Sequence, residues 1–195
     1  DLLVRYNLPF LHPGYDYEWD WKTLREYCEK VQDRGIGQNL APLVGQGTLR
    51  VAVKGFDSCP PSVEEMKEMK RLLSQAMEEG AFGLSTGLIY PPGSFTDTAE
   101  LVELSSVLRE FGGIYVSHLR NESDQLIESV DEAIRIGESN SIPVEISHHK
   151  AIGRANWGKV KATLRIMQQA RDRGVDVSCD VYPYIAASTT VSSLL

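Results

Sequence analysis

Short apolar runs alternate with longer helical stretches, and this alternation limits the possible folds more than any other feature of the sequence. The apolar runs lie near residues 39–44, 81–85, 114–117, 142–147 and 175–179, mostly at intervals of about 30 residues. Between them, leucine, isoleucine and methionine recur at the three- and four-residue spacing of a helix with one buried face. Strand and helix in regular alternation are typical of parallel βαβ units.

Several helix boundaries can be predicted from capping residues. Ser62 with Glu65 three residues later forms a capping box, and the helix that follows places on one face Val63, Met66, Met69, Leu73 and Met77. We expect other helices over residues 20–33, from Asp97 or Thr98 to Phe111, and from Ser123 onwards. A last helix near Asn156 should end at Gly174, with these residues facing inward: Trp157, Val160, Leu164 and Met167.

The predicted strands could form either an open sheet or a barrel. An open doubly wound sheet of five strands would be complete within 195 residues, whereas a TIM barrel has eight strands and about 250 residues. No glycine-rich phosphate fingerprint follows any apolar run, which disfavours a nucleotide-binding open sheet. We therefore expect an α/β fold that is part of a TIM (β/α)8 barrel, with about five of its eight strands present. Residues 1–37 would form a leading loop and helix at the periphery, and residues 38–195 the central portion of the barrel.

Composition excludes some classes of function. The net charge of −7 disfavours nucleic-acid binding, which needs a basic face, and no apolar run approaches the ~18 residues of a membrane helix. Three widely spaced cysteines, Cys28, Cys59 and Cys179, suggest free thiols in a reducing compartment, so we expect a cytoplasmic protein with a small-molecule partner. The chain begins with Asp1 rather than methionine, so a preceding segment is expected.

Two histidines follow consecutive predicted strands at matching positions. Ser117 precedes His118 at the end of one apolar run, and Ser147 precedes His148 at the end of the next. Neighbouring parallel strands lie about 4.8 Å apart and carry ligand-binding residues at their carboxyl ends, so the two imidazoles can converge on one metal ion. A structural role for each stays open, since a catalytic zinc usually has three protein ligands. If the strand continues, His149 points to the opposite face, so we select His148.

Other polar residues follow the same strand ends. Lys150 could be a solvated lysine, a Schiff-base amine or a cation for a substrate carboxylate. Tyr182 could donate its hydroxyl to a substrate oxygen or pack in the core, and Tyr90 lies in a Pro-Pro loop that can present it to a ligand. Arg120 and Glu122 could form an ion pair that supports the site or a surface salt bridge.

Five segments carry a resemblance to a known family: residues 41–50 (APLVGQGTLR), 80–93 (GAFGLSTGLIYPPG), 118–122 (HLRNE), 146–150 (ISHHK) and 180–184 (DVYPY). Together they resemble the N-acyl-D-amino-acid deacylases (D-aminoacylases) of the amidohydrolase superfamily, from about residue 38 to the end. The resemblance implies a TIM barrel of the metal-dependent amidohydrolase type with Zn²⁺ at its mouth. It implies zinc-dependent hydrolysis of the amide bond of N-acyl-D-amino acids, with His118 and His148 as metal ligands. Substrate would be held by Tyr90, Lys150 and Tyr182, with Lys150 near the substrate carboxylate.

The same resemblance implies that parts of the family's site lie elsewhere. The His-x-His pair of the first barrel strand is absent, the ligating cysteine is expected upstream, and the general-base aspartate is expected beyond Leu195. Gln46 stands where family members often have histidine in a Gly-His-Gly turn, and we do not expect it to bind metal. We therefore expect an internal fragment that is inactive alone.

Two other functions stay open. A cyclic amidohydrolase such as a dihydroorotase or hydantoinase often uses a carboxylated lysine between two metals, but Ser85 and Thr86 occupy the strand end where that lysine would stand. A non-catalytic barrel fragment is expected if these 195 residues are the whole natural product, because ligands and base would then be missing.

Overall fold

Five parallel strands form one sheet whose spatial order follows the chain. This computed structural model describes residues 19–189, so most of the predicted leading loop, and the chain end from residue 190, lie outside the described residues. The strands are Leu43–Gly45 (β1), Gly83–Gly87 (β2), Ile114–His118 (β3), Val144–Ile146 (β4) and Val177–Cys179 (β5). A doubly wound sheet reverses its strand order at a switch point, whereas strands of a TIM barrel pair in sequence. The observed order is that of a partial barrel and confirms the prediction.

Helices connect the strands and cover one face of the sheet. They are Leu24–Arg34 (α1), Gln46–Lys54 (α2), Val63–Glu78 (α3), Thr98–Ser105 (α4), Leu108–Phe111 (α5), Leu126–Asn140 (α6) and Lys159–Asp172 (α7), with short 3₁₀ turns at Gly93–Phe95 and Arg154–Asn156. No helix within residues 19–189 has the length and apolar character needed to span a bilayer.

Side-chain caps fix several helix starts as the sequence predicts. The Ser62 hydroxyl accepts the Glu65 N–H, and the Glu65 carboxylate accepts the Ser62 N–H at 2.7 Å. Asp97 caps α4 with a single bond, since its carboxylate accepts the Glu100 N–H at 2.8 Å. The predicted start at Ser123 is wrong, because Asn121 Oδ1 accepts both the N–H and the hydroxyl of Ser123 and forms a turn there. Helix α6 therefore begins only at Leu126.

The apolar core lies between the sheet and its helices. It includes Met69 and Leu73 of α3, Leu84 of β2, and Ile146 of β4, all fully buried. Three residues predicted to face inward are exposed instead: Val63, Trp157 and Leu164. Helix α7 buries the face made by Thr163, Met167 and Ala170, and Leu164 lies one residue round from that face.

The two faces of the sheet differ in their covering. In β3, Tyr115 and Ser117 are fully buried, whereas Ile114, Val116 and His118 are half-buried. Successive side chains of a strand point to opposite faces, so His118 lies on the face away from the helices. In a closed barrel that face lines the interior and opens at the carboxyl ends of the strands.

Candidate metal centre

His118 and His148 lie in direct contact at the carboxyl ends of β3 and β4. Nδ1 of His118 is 2.9 Å from Nε2 of His148, and the ring centroids are 4.6 Å apart in an edge-on arrangement. The structure therefore brings together the two histidines that the sequence places at matching strand ends. Their metal-binding role stays a prediction at this point.

The backbone at His148 explains why this residue, rather than its neighbours, meets His118. The register pairs Ser117 with Ile146, so a continuing strand would place Ser147 level with His118. Instead, β4 ends at Ile146 and His148 adopts a left-handed φ of 41°. A non-glycine residue in this region costs of order 1–3 kcal/mol, which a neighbouring contact must offset. The His148 N–H donates to the carboxylate of Asp180, which follows β5.

His149 lies on the helix side of the sheet. Its Nε2 is 2.9 Å from the hydroxyl of Thr163 on α7, and the side chain is buried. Burial lowers the pKa of the His149 imidazole, so the ring is neutral at pH 7 and acts as a hydrogen-bonded core residue. The structure places His148 beside His118 and His149 on the opposite face, and the choice of His148 as a ligand stays a prediction.

Glu122 is the third residue of the cluster, a position that the sequence pattern alone does not predict. Its Oε1 lies 3.0 Å from Nδ1 of His148 and 2.6 Å from Nζ of Lys150. Burial alone would raise the pKa of the Glu122 carboxyl, but hydrogen bonds from His148 and Lys150 outweigh it and leave that pKa lowered. Within the described residues, His118, Glu122 and His148 form a group whose donor atoms all lie within 4.8 Å of one another.

Arg120 and Glu122 do not form the ion pair that the sequence left open. Arg120 forms a two-point ion pair with Glu132 of α6, with Nε to Oε2 and Nη2 to Oε1 both at 2.9 Å. Its Nη2 also donates to the Thr96 carbonyl at 2.7 Å, while the Thr96 hydroxyl accepts the amide of buried Gln46 at 2.8 Å. Arg120 points towards α6, whereas Glu122 contacts His148 and Lys150.

Three residues predicted to hold substrate line one cavity beside the histidines. The Tyr90 ring is 5.2 Å from the His118 ring, and its hydroxyl lies 2.8 Å from the Thr189 hydroxyl. Nζ of Lys150 lies 5.6 Å from the centroid of the Tyr182 ring. The cavity has a volume of about 440 Å³, is lined further by Ile89, Ile152, Tyr184 and Ala186, and is large enough for an amino-acid derivative.

The donor set fits a zinc ion. Burial lowers the pKa of His118 to about 4, so its ring is neutral at pH 7 and has a lone pair available for a metal. Two nitrogens bound tetrahedrally to one zinc at 2.0–2.1 Å are about 3.3 Å apart. The 2.9 Å separation of the two ring nitrogens has to open by only a few tenths of an ångström.

Comparisons with curated proteins give close sequence relatives. No family model matches the chain. The chain is 44% identical over 151 residues to N-acyl-D-glutamate deacylase and 37% identical over 182 residues to D-aminoacylase, both of Alcaligenes xylosoxydans xylosoxydans. These alignments cover 77% and 93% of the chain but 31% and 37% of the relatives. The chain therefore spans about a third of the length of the curated relatives that it matches.

Solved structures of enzymes with these names also match the chain. The chain matches a crystal structure of N-acyl-D-glutamate deacylase from Bordetella bronchiseptica, complexed with zinc and a phosphonate inhibitor, with a TM-score of 0.81 and 37% identity, over 83% of this chain and 34% of that one. A D-aminoacylase crystal structure matches with a TM-score of 0.80 and 36% identity, over 84% and 34%. An L-hydantoinase from Arthrobacter aurescens, 18% identical with a TM-score of 0.53, shares the fold alone. By sequence identity, strand order and structural overlap, this chain belongs to the N-acyl-D-amino-acid deacylase (D-aminoacylase) family of the amidohydrolase superfamily.

Proposed function

We propose that this chain forms part of an enzyme that hydrolyses the amide bond of N-acyl-D-amino acids in a zinc-dependent reaction. The products are a carboxylic acid and a D-amino acid. One observation carries the proposal: His118, His148 and Lys150 meet at a single cavity at the carboxyl ends of the strands. Relatives named for the deacylation of N-acyl-D-glutamate and N-acyl-D-aspartate support the reaction class.

His118 and His148 are the proposed zinc ligands. A zinc ion bound there would act as a Lewis acid that could activate water and polarise the scissile carbonyl. A catalytic zinc usually has three protein ligands, so we propose that a further ligand and the general-base aspartate come from outside residues 19–189. Glu122 brings a negative charge to the same cluster, which favours a bound cation.

Lys150 is the proposed partner of the substrate carboxylate. Its side chain is 21% exposed, and its ammonium nitrogen lies 5.6 Å from the centroid of the Tyr182 ring in the cavity wall. An ammonium carries three donors, so Lys150 can keep its bond to Glu122 while it donates to a carboxylate. Tyr90 and Tyr182 flank the cavity and restrict the remaining groups on the α-carbon. With the carboxylate and the acyl carbonyl both fixed, a wall that admits the side chain on one side only supplies the third contact needed to select one configuration of that carbon.

The end of β2 disfavours a cyclic amidohydrolase that uses a carboxylated lysine. Ser85 and Thr86 stand there, and the Thr86 hydroxyl is buried within 3.1 Å of both the Tyr115 and the Ser117 hydroxyls. This position is occupied by a closed hydrogen-bond network on the helix side of the sheet. A lysine that bridges two metals therefore has no counterpart on this strand.

A substrate panel tests the proposal. The full-length gene product would be assayed with the N-acetyl derivatives of D-methionine, D-glutamate and L-methionine, and with a hydantoin, while its zinc content is measured. We expect release of the D-amino acids, little release of the L-amino acid, no ring opening, and loss of activity with a zinc chelator that added zinc restores. Turnover of the hydantoin alone, or no hydrolysis of any N-acyl-D-amino acid by the zinc-loaded protein, would overturn the proposal.

A further inference from the structure

The ring of His148 meets a different partner at each of its two nitrogens. Nε2 faces Nδ1 of His118 at 2.9 Å, in the direction of the proposed metal. Nδ1 lies 3.0 Å from Oε1 of Glu122 and 3.0 Å from Nζ of Lys150. A neutral imidazole carries one N–H, so only one of its nitrogens can present a lone pair to a metal. Which nitrogen holds the proton therefore decides whether the site is ready to bind zinc.

The contacts of Glu122 favour the proton on Nδ1. The Glu122 side chain is only 5% exposed, so its carboxylate depends on protein donors. An ionised carboxylate can only accept hydrogen bonds, and a bare Nδ1 would set two lone pairs against each other at 3.0 Å. Lys150 does not need Nδ1 as an acceptor, because its ammonium already donates to Glu122 at 2.6 Å and to the His148 carbonyl at 3.2 Å.

We propose that Glu122 is a positioning residue that accepts the Nδ1–H of His148 and so holds the Nε2 lone pair towards the metal position. Lys150 supports this role by donating to the same carboxylate oxygen, which keeps Glu122 ionised and fixed. Outer carboxylates of this kind set the tautomer and raise the basicity of a ligating histidine. The inference rests on the proposed function for the identity of the metal, but the hydrogen bond itself exists in the metal-free protein.

Nitrogen NMR of the metal-free protein tests the hydrogen bond directly. The full-length gene product would be labelled with ¹⁵N-histidine, and the His148 signals assigned by comparison with His148→Asn. We expect the ring proton on Nδ1, and its transfer to Nε2 in Glu122→Ala. A ring proton on Nε2 in the unsubstituted protein would overturn the inference even if that protein binds zinc. A correct tautomer in a protein that binds no zinc would instead refute the zinc site and leave the role of Glu122 intact.

Measurements of zinc affinity distinguish two possible roles of Glu122: orienting the ring of His148, or only neutralising the charge of Lys150. Glu122→Ala alone leaves Lys150 without its buried partner, so the comparison is made in a Lys150→Met background. We expect Lys150→Met/Glu122→Ala to bind zinc about 10- to 100-fold more weakly than Lys150→Met. Equal affinity in these two variants would show that Glu122 only neutralises Lys150. Glu128→Ala removes an exposed carboxylate from α6 and is the matched control, with zinc affinity unchanged.

Discussion

Arg120 and Glu132 form a two-point ion pair that ties the loop after β3 to helix α6, with both N–O distances at 2.9 Å. Arg120 lies between His118 and Glu122 in the sequence, so the pair fixes the segment that carries two members of the cluster. The side chains are 30% and 11% exposed, which places the pair between a solvated surface bridge and a buried one. The same guanidinium reaches the Thr96 carbonyl and thereby links a second loop to the first.

Replacing Arg120 should therefore destabilise the protein. Arg120→Gln loses the fork of donors, and we expect the free energy of unfolding to fall by about 1–3 kcal/mol in denaturant titrations. Arg173→Gln is the control, since its pair with Glu138 spans 3.3 Å between half-exposed side chains and should contribute less than ~1 kcal/mol. Equal stability losses for the two variants would show that the Arg120 pair contributes no more to stability than an exposed ion pair.

Zinc content should distinguish the three histidines at the strand ends. His118→Ala and His148→Ala each remove a proposed ligand, so we expect substoichiometric zinc by elemental analysis of the purified proteins. His149→Ala removes a ring bonded to Thr163 on the far side of the sheet. That variant should keep its zinc and lose about 1–3 kcal/mol of stability, because it removes a buried, hydrogen-bonded ring and leaves a cavity beside Thr163, whose hydroxyl still donates to the Val160 carbonyl at 3.0 Å. Zinc loss in His149→Ala with retention in His148→Ala would reverse the assignment.

Removing the ammonium of Lys150 should weaken substrate binding more than it slows the chemical step. Lys150→Met deletes the proposed partner of the substrate carboxylate, and we expect KM for an N-acetyl-D-amino acid to rise roughly 10- to 100-fold with a smaller change in kcat. Lys159→Met serves as control, because Lys159 donates to the Asp124 carbonyl outside the cavity at 2.6 Å. A fall in kcat with KM unchanged would point to a role for Lys150 in the reaction rather than in binding.

The buried phenol of Tyr115 should make stability fall at alkaline pH. Burial raises the pKa of Tyr115 to about 12, whereas a phenol in an unfolded chain ionises near 10. A raised pKa in the folded state gives stability that is complete below pH ~10 and is lost as pH rises towards ~12, by up to about 3 kcal/mol. Tyr115→Phe should cost about 1 kcal/mol at pH 7 through the lost bond to Thr86, and this deficit should shrink above pH 10.

Unfolding free energies at several pH values from 7 to 11 would measure this change. Tyr184→Phe, which alters an exposed phenol, should leave the alkaline decline unchanged. A constant difference between Tyr115→Phe and the unsubstituted protein at all pH values would contradict the prediction.

Strand positions and the paired histidines were predictable because both depend on short stretches of sequence. Apolar runs give the strands, and the rule that strand ends carry function selects His118 and His148. Helix α2 was not predictable in this way. Its N-cap, Gly45, makes no side-chain bond, and Gly47 follows in the first turn. The helix is held instead by tertiary contacts, including the fully buried Arg50, whose Nη1 bonds Glu100 at 2.5 Å from 50 residues away.

The partner of Arg120 was not predictable for a related reason. Glu122 and Glu132 both lie close enough to Arg120 in the sequence to be its partner. Glu132 is the one in contact because α6 runs back across the loop that carries Arg120. Nor does local sequence predict the left-handed φ of His148, because the Asp180 carboxylate that receives its N–H follows a different strand. The Arg120–Glu132 pair arises from the path of the chain within one βα unit, and the backbone of His148 is set by contact between neighbouring units; periodicity encodes neither.

Gly83 of β2 is the position where the sheet tolerates a side chain least. A Cβ built there would lie 1.9 Å from the carbonyl oxygen of Ile114 on the neighbouring strand, and backbone cannot move aside as a side-chain end can. We expect Gly83→Ala to destabilise the protein by more than about 3 kcal/mol, since either the β2–β3 register or the strand spacing must change. Gly158→Ala is the matched control: its Cβ would meet nothing within 4 Å, its φ is −67°, and the loss of unfolded-state freedom should stabilise by about 0.4–1 kcal/mol. Thermal and denaturant unfolding of both variants would measure the contrast, and a Gly83→Ala protein as stable as Gly158→Ala would mean that β2 and β3 do not pair in this register.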